Sequence, residues 1–203
     1  MSRGALPKAS TAGRSALPRE VRIVGGQWKR SKLPVTDSAG LRPTPDRVRE
    51  TLFNWLGHDL SGWRCLDAFA GSGALGFEAA SRGASQVVLL ERDRHLAKSL
   101  QQTAERLNAT MTVRVECAEA LAWMARSAAA QFEAVFIDPP FDSDLLAPAV
   151  LAASRLVVPD GLVYAELSRE LSAEDVAGAG LQISRSSRAG AVHFHLLRRT
   201  AGA

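Results

Sequence analysis

From residue 63 onward, short apolar runs alternate with segments of helical periodicity, and this alternation restricts the possible fold more than any other feature of the chain. Strands that alternate with helices predict βαβ units and a mostly parallel sheet covered on both faces. We therefore expect an α/β fold with a seven-stranded sheet. The predicted strands are 64–69, 86–91, 112–117, 132–138, 161–167, 182–187 and 191–198, and the predicted helices are 73–82, 93–107, 118–127, 143–155 and 171–178.

The chain before this alternation divides into two parts. Residues 1–19 are rich in Ala, Ser, Gly, Pro and Arg and lack apolar periodicity, so we predict a disordered basic leader. Residues 20–60 predict a small β-hairpin around Gly25-Gly26 and a helix over 45–56. Residues 61–203 then form the α/β domain.

The predicted N-terminal helix has recognisable ends. Thr44 is the expected N-cap, Pro45 suits the first turn, and Gly57 is a natural stop. Arg47 and Arg49 are expected on faces other than the apolar one.

Positive charge is concentrated near the N-terminus. The whole chain of 203 residues carries a formal net charge of +4, yet residues 1–49 hold 11 Lys and Arg against 3 Asp and Glu. The remaining residues hold 14 against 18. A basic segment of this kind favours contact with a polyanion at that end of the molecule.

Hydropathy and cysteine content suggest a cytoplasmic protein. No apolar stretch approaches the roughly 18 residues that a membrane span needs, and residues 1–8 lack the apolar core of a signal peptide.

Cys65 and Cys117 both lie in apolar strand-like runs and are expected to be buried, reduced thiols. His193 and His195 alternate within a strand and are expected to pack or face outward, so we predict no metal site. Nothing in the sequence indicates more than a monomer.

A glycine-rich loop follows the first strand of the α/β domain, in the segment Asp67-Ala68-Phe69-Ala70-Gly71-Ser72-Gly73-Ala74-Leu75-Gly76. Its small residues allow close approach of a ligand to the backbone. Residues 71–76 match the dinucleotide fingerprint, which supports an NAD-dependent oxidoreductase as an alternative. However, the carboxylate of Asp67 would repel a pyrophosphate and could accept from an ammonium group. An amino-acid-bearing cofactor such as S-adenosylmethionine fits better.

Two further acids follow strand ends. Glu91 follows the loop by about the twenty residues typical of an acid that accepts from ribose hydroxyls, a role common to both cofactors. Glu119 could accept from an adenine amino group, or it could simply be a helix N-terminal acid favoured by the helix dipole. Ligands of parallel sheets lie beyond the carboxyl ends of the strands, so both acids are expected to share one rim with Asp67 and Asp138.

The strand-end tetrapeptide Asp138-Pro139-Pro140-Phe141 combines a carboxylate, a stiff backbone and an aromatic ring. Two prolines end the strand abruptly, and the Asp138 side chain and Pro139 carbonyl could accept both hydrogens of an exocyclic amine. Phe141 could stack on the base that carries this amine. The same tetrapeptide could also be a turn with an incidental aromatic residue.

These motifs, together with Gly25-Gly26-Gln27-Trp28 and the segment Leu41–Leu56, resemble the RsmD family of bacterial 16S ribosomal RNA guanine-N2 methyltransferases. The resemblance runs from about residue 21 to about 199. It implies a Rossmann-like class I methyltransferase fold, S-adenosylmethionine as cofactor, and as partner 16S rRNA in an assembled or assembling small ribosomal subunit.

The resemblance, read with the motifs, assigns a role to each candidate residue. The catalytic residues are Asp138, Pro139, Pro140 and Phe141. The cofactor-binding residues are Asp67, Phe69, Ala70, Gly71, Ser72, Gly73, Glu91, Arg92, Glu119 and Ala120. The RNA-binding residues are Arg22, Trp28, Lys29, Arg30, Lys32, Arg42, Thr44 and Arg47, of which Arg42, Thr44 and Arg47 could instead contact a cofactor lid or belong to a capped helix with solvated arginines.

Three other functions remain open from the residues themselves. The same tetrapeptide could serve an adenine-N6 methyltransferase acting on nucleic acid. The glycine loop could serve an NAD-dependent oxidoreductase. The basic N-terminal segment could belong to a ribosome assembly factor in which catalysis is secondary.

Overall fold

The structure is a computed structural model that describes residues 20–35, 44–141 and 143–200. The predicted leader over 1–19 and the predicted RNA contact Arg42 lie outside the described residues. In chain order the elements are β1 Glu20–Arg22, β2 Lys32–Pro34, α1 Asp46–Leu56, β3 Arg64–Asp67, α2 Ala74–Ser81, β4 Gln86–Glu91, α3 Arg94–Arg106, β5 Val113–Cys117, α4 Ala120–Arg126, β6 Phe132–Ile137, α5 Leu146–Leu156, β7 Val157–Leu167, α6 Ala173–Ala177, β8 Leu181–Ala189 and β9 Val192–Arg199.

Strands β3 to β9 form one seven-stranded sheet in the order β5-β4-β3-β6-β7-β9-β8. Strands β3 to β7 are parallel, β9 is antiparallel to β7, and β8 is antiparallel to β9. This arrangement confirms the predicted Rossmann-like class I methyltransferase fold. The strand order reverses beside β3, and in such sheets a ligand binds beyond the carboxyl ends of the strands at that reversal.

Alternation of side chains along the strands produces two apolar layers. On one face, Leu89 and Phe136 join the core formed with α1, α2 and α3. On the other, Val88 and Val135 join the core formed with α4, α5 and α6. Because successive side chains of a strand point to opposite faces, central strands of a covered parallel sheet must be apolar on both sides.

The N-terminal hairpin packs on the same core as α1 and α2. Val21 pairs with Leu33 across the hairpin, and both side chains are buried in that core. The strands have three residues each, because the chain between them turns onto α2. There Gln27 N donates to the Ser81 carbonyl at 2.8 Å, and a Cβ added to Gly26 would lie 1.9 Å from that oxygen. Gly26, at φ +74°, is therefore required for the close approach.

A buried ionic cluster joins the hairpin, α1 and α2. Glu78 is fully buried, and Arg82 Nε donates to its Oε1 at 2.8 Å. Val24 N donates to Glu78 Oε2 at 2.7 Å, and Arg49 Nη1 lies 3.6 Å from the same oxygen. The prediction that Arg49 faces away from the apolar side is wrong, because its side chain is 0% exposed and lies within this cluster.

Other predictions differ from the structure in detail. Strand β7 begins at Val157, four residues earlier than predicted, because Val157 pairs with Phe132 before a register shift. Cys65 is buried as predicted, and burial holds the pKa of its thiol well above the ordinary value. Cys117 is exposed, so its predicted burial is wrong; β5 is an edge strand, and its last residue has no neighbour on the outer side.

None of the helices in the described part of the chain has the length and apolarity that a membrane crossing requires.

Candidate functional site

A cleft of about 470 Å³ opens at the carboxyl ends of β3, β4 and β6, where the strand order reverses. A volume of this size is typical of cofactor sites. The cleft brings together most of the residues predicted to bind cofactor and all four predicted catalytic residues. Its lining includes Thr44, Pro45, Asp67, Phe69, Ala70, Gly71, Ser72, Glu91, Arg92, Asp93, Leu96, Glu119, Ala120, Asp138, Pro139, Pro140, Phe141, Leu145, Glu166 and Val192.

Asp67 ends β3 at the floor of the cleft and is 1% exposed. Burial raises the pKa of its carboxyl to about 7, partly opposed by N–H groups of Gly76 and Phe69 and reinforced by the charges of Asp138 and Glu91. Gly76 N donates to Asp67 Oδ2 at 3.0 Å. A buried carboxyl group in a cleft that also holds other acids is suited to a cationic ligand group.

The glycine loop connects β3 to α2 along one wall. Gly71 has φ +52° and Gly73 has φ +76°, the left-handed region that favours glycine. Gly73 does not line the cleft, and a Cβ there would lie 2.6 Å from Phe77 and 2.7 Å from Leu100. Gly73 therefore serves the packing of α2 and α3, while Gly71 and Ser72 face the ligand space.

Glu91 ends β4 and is fixed by two backbone donors. Gly71 N donates to its Oε2 at 3.0 Å and Asp93 N to its Oε1 at 2.8 Å. Each carboxylate oxygen can accept more than one hydrogen bond, so acceptor capacity remains toward the cleft. The bond to Gly71 also ties the predicted ribose acid to the glycine loop.

Glu119 is the N-cap of α4. Its carboxylate accepts from Leu121 N at 3.1 Å and from Ala122 N at 2.7 Å. The residue also lines the cleft, so its helix N-terminal role is compatible with the predicted contact to an adenine amino group.

Asp138 lies just beyond β6 and is only partly exposed, facing the cleft. Thr44 donates from Oγ1 to Asp138 Oδ2 at 3.3 Å. Burial raises the pKa of Asp138 to about 7, and the Thr44 hydrogen bond lowers it in part. Thr44 was predicted to cap α1, but the N-cap is Pro45, which makes no side-chain cap bond, and the Thr44 hydroxyl reaches across to Asp138 instead.

The rest of the tetrapeptide forms a wall of the cleft. Pro139 is buried, Pro140 is exposed and Phe141 is partly exposed. The Pro140 carbonyl accepts from Ser143 N at 3.1 Å and from Ser143 Oγ at 2.6 Å, which closes a turn before α5. The turn and the functional interpretation of this tetrapeptide are therefore compatible, because the turn presents the proline and phenylalanine side chains to the cleft.

Glu166 lines the cleft and was not among the residues predicted from the sequence. It is 2% exposed on β7, and Tyr164 donates its hydroxyl hydrogen to Glu166 Oε1 at 2.8 Å. Burial and the charge of Asp138 hold the pKa of Glu166 well above its ordinary value. The signal was an acid inside the apolar run Leu162–Leu167, one strand away from Asp138.

A second cavity of about 320 Å³ lies against the same proline and phenylalanine residues. Its remaining lining comes from the start of α5 and the end of β7 and includes Ser143, Asp144, Leu146, Ala147, Glu166, Leu167, Ser168 and Arg169. The wall of residues 139–141 and Glu166 thus borders both cavities.

Of the predicted RNA contacts that the structure describes, Thr44 alone lines the cleft. Arg22, Lys29, Arg30 and Lys32 are exposed on the hairpin, and Arg47 is exposed on α1. Trp28 is partly buried and packs against the core, so its ring has a structural role. Lys32 Nζ lies 2.7 Å from Glu20 Oε2, and Arg22 Nη2 lies 3.9 Å from Asp46 Oδ2.

In the described residues, no three His, Cys, Asp or Glu side chains are grouped so as to hold a metal ion. His195 is buried, with Nδ1 2.8 Å from Ser186 Oγ and Nε2 accepting from Leu171 N at 3.3 Å. Both ring nitrogens of His195 are therefore engaged in packing the sheet.

Known proteins resemble this chain over almost its entire length. Residues 21–198 match the protein family described as conserved hypothetical protein 95. The ribosomal RNA small subunit methyltransferase D of Escherichia coli K12 is 42% identical over 184 residues, which cover 90% of this chain and 91% of that protein. The protein of the same name from Haemophilus influenzae is 42% identical over 159 residues, which cover 74% and 80% respectively. The solved structure of the yhhF protein from Escherichia coli aligns with a TM-score of 0.77 at 39% identity, over 90% of this chain and 99% of that one.

Proposed function

The chain belongs to the family described as conserved hypothetical protein 95, and from that premise we propose that it transfers a methyl group from S-adenosylmethionine to the exocyclic N2 of a guanine in 16S ribosomal RNA. The resemblance to the RsmD family is confirmed by relatives named ribosomal RNA small subunit methyltransferase D. The choice of guanine N2, the identity of the cofactor and the ribosomal particle as substrate are the parts of this function that go beyond those names.

The cleft residues fit S-adenosylmethionine. Asp67 is a buried acceptor suited to the ammonium group, and Glu91 keeps acceptor capacity for ribose hydroxyls beside Gly71. Phe69, Ala70, Ser72, Arg92, Glu119 and Ala120 complete the proposed cofactor surface. When bound, the cofactor supplies a methyl group that its sulfonium makes reactive toward an amine nitrogen.

The amine would be held by the strand-end tetrapeptide. An exocyclic amine of a base is a poor nucleophile because its lone pair is delocalised into the ring. Acceptors for both of its hydrogens, on Asp138 and the Pro139 carbonyl, orient the amine and direct its lone pair away from those acceptors. Phe141 provides a face on which the base stacks, an interaction worth on the order of 1–3 kcal/mol.

Asp138 also has a place in the proton balance. Methyl transfer to the neutral amine leaves one proton to be lost from nitrogen, and Asp138 or water takes it. A general base is most effective when its pKa lies near the working pH, and burial brings the pKa of Asp138 to about 7.

The RNA would be gripped by the exposed basic residues of the hairpin and α1. Lysine and arginine contacts to phosphates make binding depend on salt. We propose that the enzyme acts in the cytoplasm, as a monomer, on the small ribosomal subunit.

One observation carries this proposal: the tetrapeptide Asp138-Pro139-Pro140-Phe141 lines the same cleft as Asp67 and Glu91. An NAD-dependent oxidoreductase would have no use for an amine-holding wall opposite its cofactor. It would gain thermal stability from NADH, whereas we expect S-adenosylhomocysteine to raise the melting temperature, as any ligand specific to the folded state must.

The mechanism is tested by an Asp138→Asn variant assayed for methyl incorporation into unmethylated small subunits. We expect a fall in rate of at least about 100-fold with S-adenosylhomocysteine affinity retained. Asp160→Asn is a matched control, because Asp160 is exposed near the start of β7, whereas the cleft lies at the carboxyl ends of the strands. Asparagine also tolerates the φ of +63° that Asp160 adopts. Methyl incorporation by Asp138→Asn at the wild-type rate would exclude the proposed role of this carboxylate.

A further inference from the structure

Thr44 is placed where the N-terminal segment meets the cleft. It is 5% exposed, lines the cleft and donates to Asp138 Oδ2 at 3.3 Å, across a sequence separation of 94 residues. Pro45, the N-cap of α1, makes no side-chain cap bond, so the hydroxyl of Thr44 serves the acid and not the helix end.

The backbone of Thr44 is held by Arg49, one turn into α1. Arg49 Nε donates to the Thr44 carbonyl at 3.4 Å, and Arg49 Nη2 donates to Asp46 Oδ1 at 2.6 Å. The guanidinium is planar, so two donors on different sides fix its orientation and with it the position of Thr44.

The burial of Arg49 is costly by itself, which points to a role other than stability. Its Nη1 lies 3.6 Å from Glu78 Oε2 as an ion pair, but has no hydrogen-bond partner within the described residues. Buried ion pairs of imperfect geometry often contribute little to folding, because desolvation offsets their attraction. Here the ion pair with Glu78 keeps the Arg49 guanidinium in place, where its Nε donates to the Thr44 carbonyl.

Asp138 is surrounded mainly by acids. Asp67 on β3, Glu91 at the end of β4 and Glu166 on β7 line the same cleft, and Tyr164 binds Glu166. Arg92 is the one cation of the described lining. Burial disfavours the ionised form of Asp138, and the Thr44 hydroxyl is the donor that supports that form and fixes the orientation of the carboxylate. The same hydroxyl also lowers the pKa of the neighbouring Glu166.

We propose that Thr44 is a positioning residue for methyl transfer, whose hydroxyl orients the Asp138 carboxylate and stabilises its negative charge, and that Arg49 holds Thr44 in place for this purpose. This inference rests on the proposed function, since it assigns Asp138 the role of accepting amine hydrogens. It also makes the N-terminal segment part of the reaction centre, because α1 and the hairpin that docks against α2 share the Arg49-Glu78 cluster.

Three variants isolate the hydroxyl. Thr44→Val removes it and keeps the shape, Thr44→Ser keeps it, and Thr51→Val is the matched control. Thr51 lies within α1, which begins just after Thr44, and its hydroxyl donates to the Arg47 carbonyl at 2.9 Å, away from Asp138. The pH dependence of kcat is measured for all three with the small ribosomal subunit as substrate, together with KM for the subunit.

For Thr44→Val we expect kcat near pH 7 to fall roughly 3- to 10-fold, with KM little changed, because one hydrogen bond is lost. The acid limb of the profile should move to higher pH, since the hydrogen bond lowers the pKa of Asp138. Thr44→Ser and Thr51→Val should both keep the wild-type limb. An unmoved limb in Thr44→Val, or an equal loss in Thr44→Ser, would overturn the proposal.

A second readout separates this inference from the proposed function. The Asp138 carboxyl group is titrated by carbon NMR in wild type and Thr44→Val, assigned with Asp138→Asn, without any substrate. A higher pKa in Thr44→Val supports the role of the hydroxyl even if the wild type proves not to methylate 16S rRNA. An unchanged pKa refutes the role even in an active enzyme.

Discussion

Replacing Asp67 by Asn should make the free protein more stable and the cofactor bind more weakly. Asp67 is buried, and burial raises the pKa of its carboxyl from the ordinary 3.8 to about 7. Between these values the unfolded chain releases the proton while the folded protein keeps it. Folding stability therefore falls as pH rises from about 4 to about 7, and the penalty stays constant above that range.

The magnitude follows from the difference between the two pKa values. One pKa unit corresponds to about 1.4 kcal/mol, so the Asp67 carboxyl destabilises the folded protein by about 2 kcal/mol at pH 5 and about 4 kcal/mol at pH 8. Asn keeps an oxygen that can accept from Gly76 N and carries no charge. Asp67→Asn should recover most of this free energy at pH 8 and less at pH 5.

Urea unfolding at both pH values measures the effect, and calorimetric titration with S-adenosylhomocysteine measures affinity in parallel. Asp93→Asn is a useful control, because hydrogen bonds from Leu96 N and His95 N lower the pKa of Asp93 and no gain at high pH is expected. A loss of stability in Asp67→Asn at both pH values, or an unchanged affinity for S-adenosylhomocysteine, would refute the claim that Asp67 binds the cofactor at a cost to folding stability.

Three further predictions concern RNA binding, docking of the hairpin and base stacking. Replacing the exposed hairpin residues Arg22, Arg30 and Lys32 by glutamine should weaken RNA binding and leave S-adenosylhomocysteine affinity unchanged. The slope of log binding constant against log salt concentration should fall by roughly one unit per lost phosphate contact. Equal loss of cofactor affinity would mean that the hairpin is structural. Gly26→Ala should lower the free energy of unfolding in urea by at least about 2 kcal/mol, because its Cβ would lie 1.9 Å from the Ser81 carbonyl oxygen. Gly190→Ala is the control for the cost of a positive φ alone, since nothing lies within 4 Å of its new Cβ. Equal losses in the two variants would show that the contact with Ser81 is unimportant. Phe141→Ala should lower kcat/KM for the RNA about 10- to 100-fold while sparing cofactor affinity, and an unchanged kcat/KM would exclude stacking.

The sheet and the three cleft acids could be predicted because both depend on local pattern and one general rule. Asp67, Glu91 and Asp138 each end an apolar run, and parallel strands bring their carboxyl ends to one edge. Glu119 was predicted with two possible roles: the structure shows the helix N-terminal one, and its place in the cleft lining leaves the adenine contact a prediction.

The contacts that escaped prediction join distant segments of the chain. Thr44 before Pro45 has the local pattern of a helix cap, and its bond to Asp138 crosses 94 residues. Arg49 has the helical position of a solvated residue, yet α2 supplies a buried acid to pair with it. Glu166 is hidden in an apolar run, and only the pairing of β6 with β7 brings it beside Asp138. Periodicity carries no information about such pairs.

The central claim is most directly tested by identifying the methylated nucleoside. The purified protein is incubated with labelled S-adenosylmethionine and small ribosomal subunits whose 16S rRNA is unmethylated, with naked 16S rRNA and DNA in parallel. The rRNA is then digested to nucleosides and separated. We expect the label in N2-methylguanosine, absent from DNA and absent with Asp138→Asn. Label in N6-methyladenosine, or no label in any nucleic acid, would contradict the assignment.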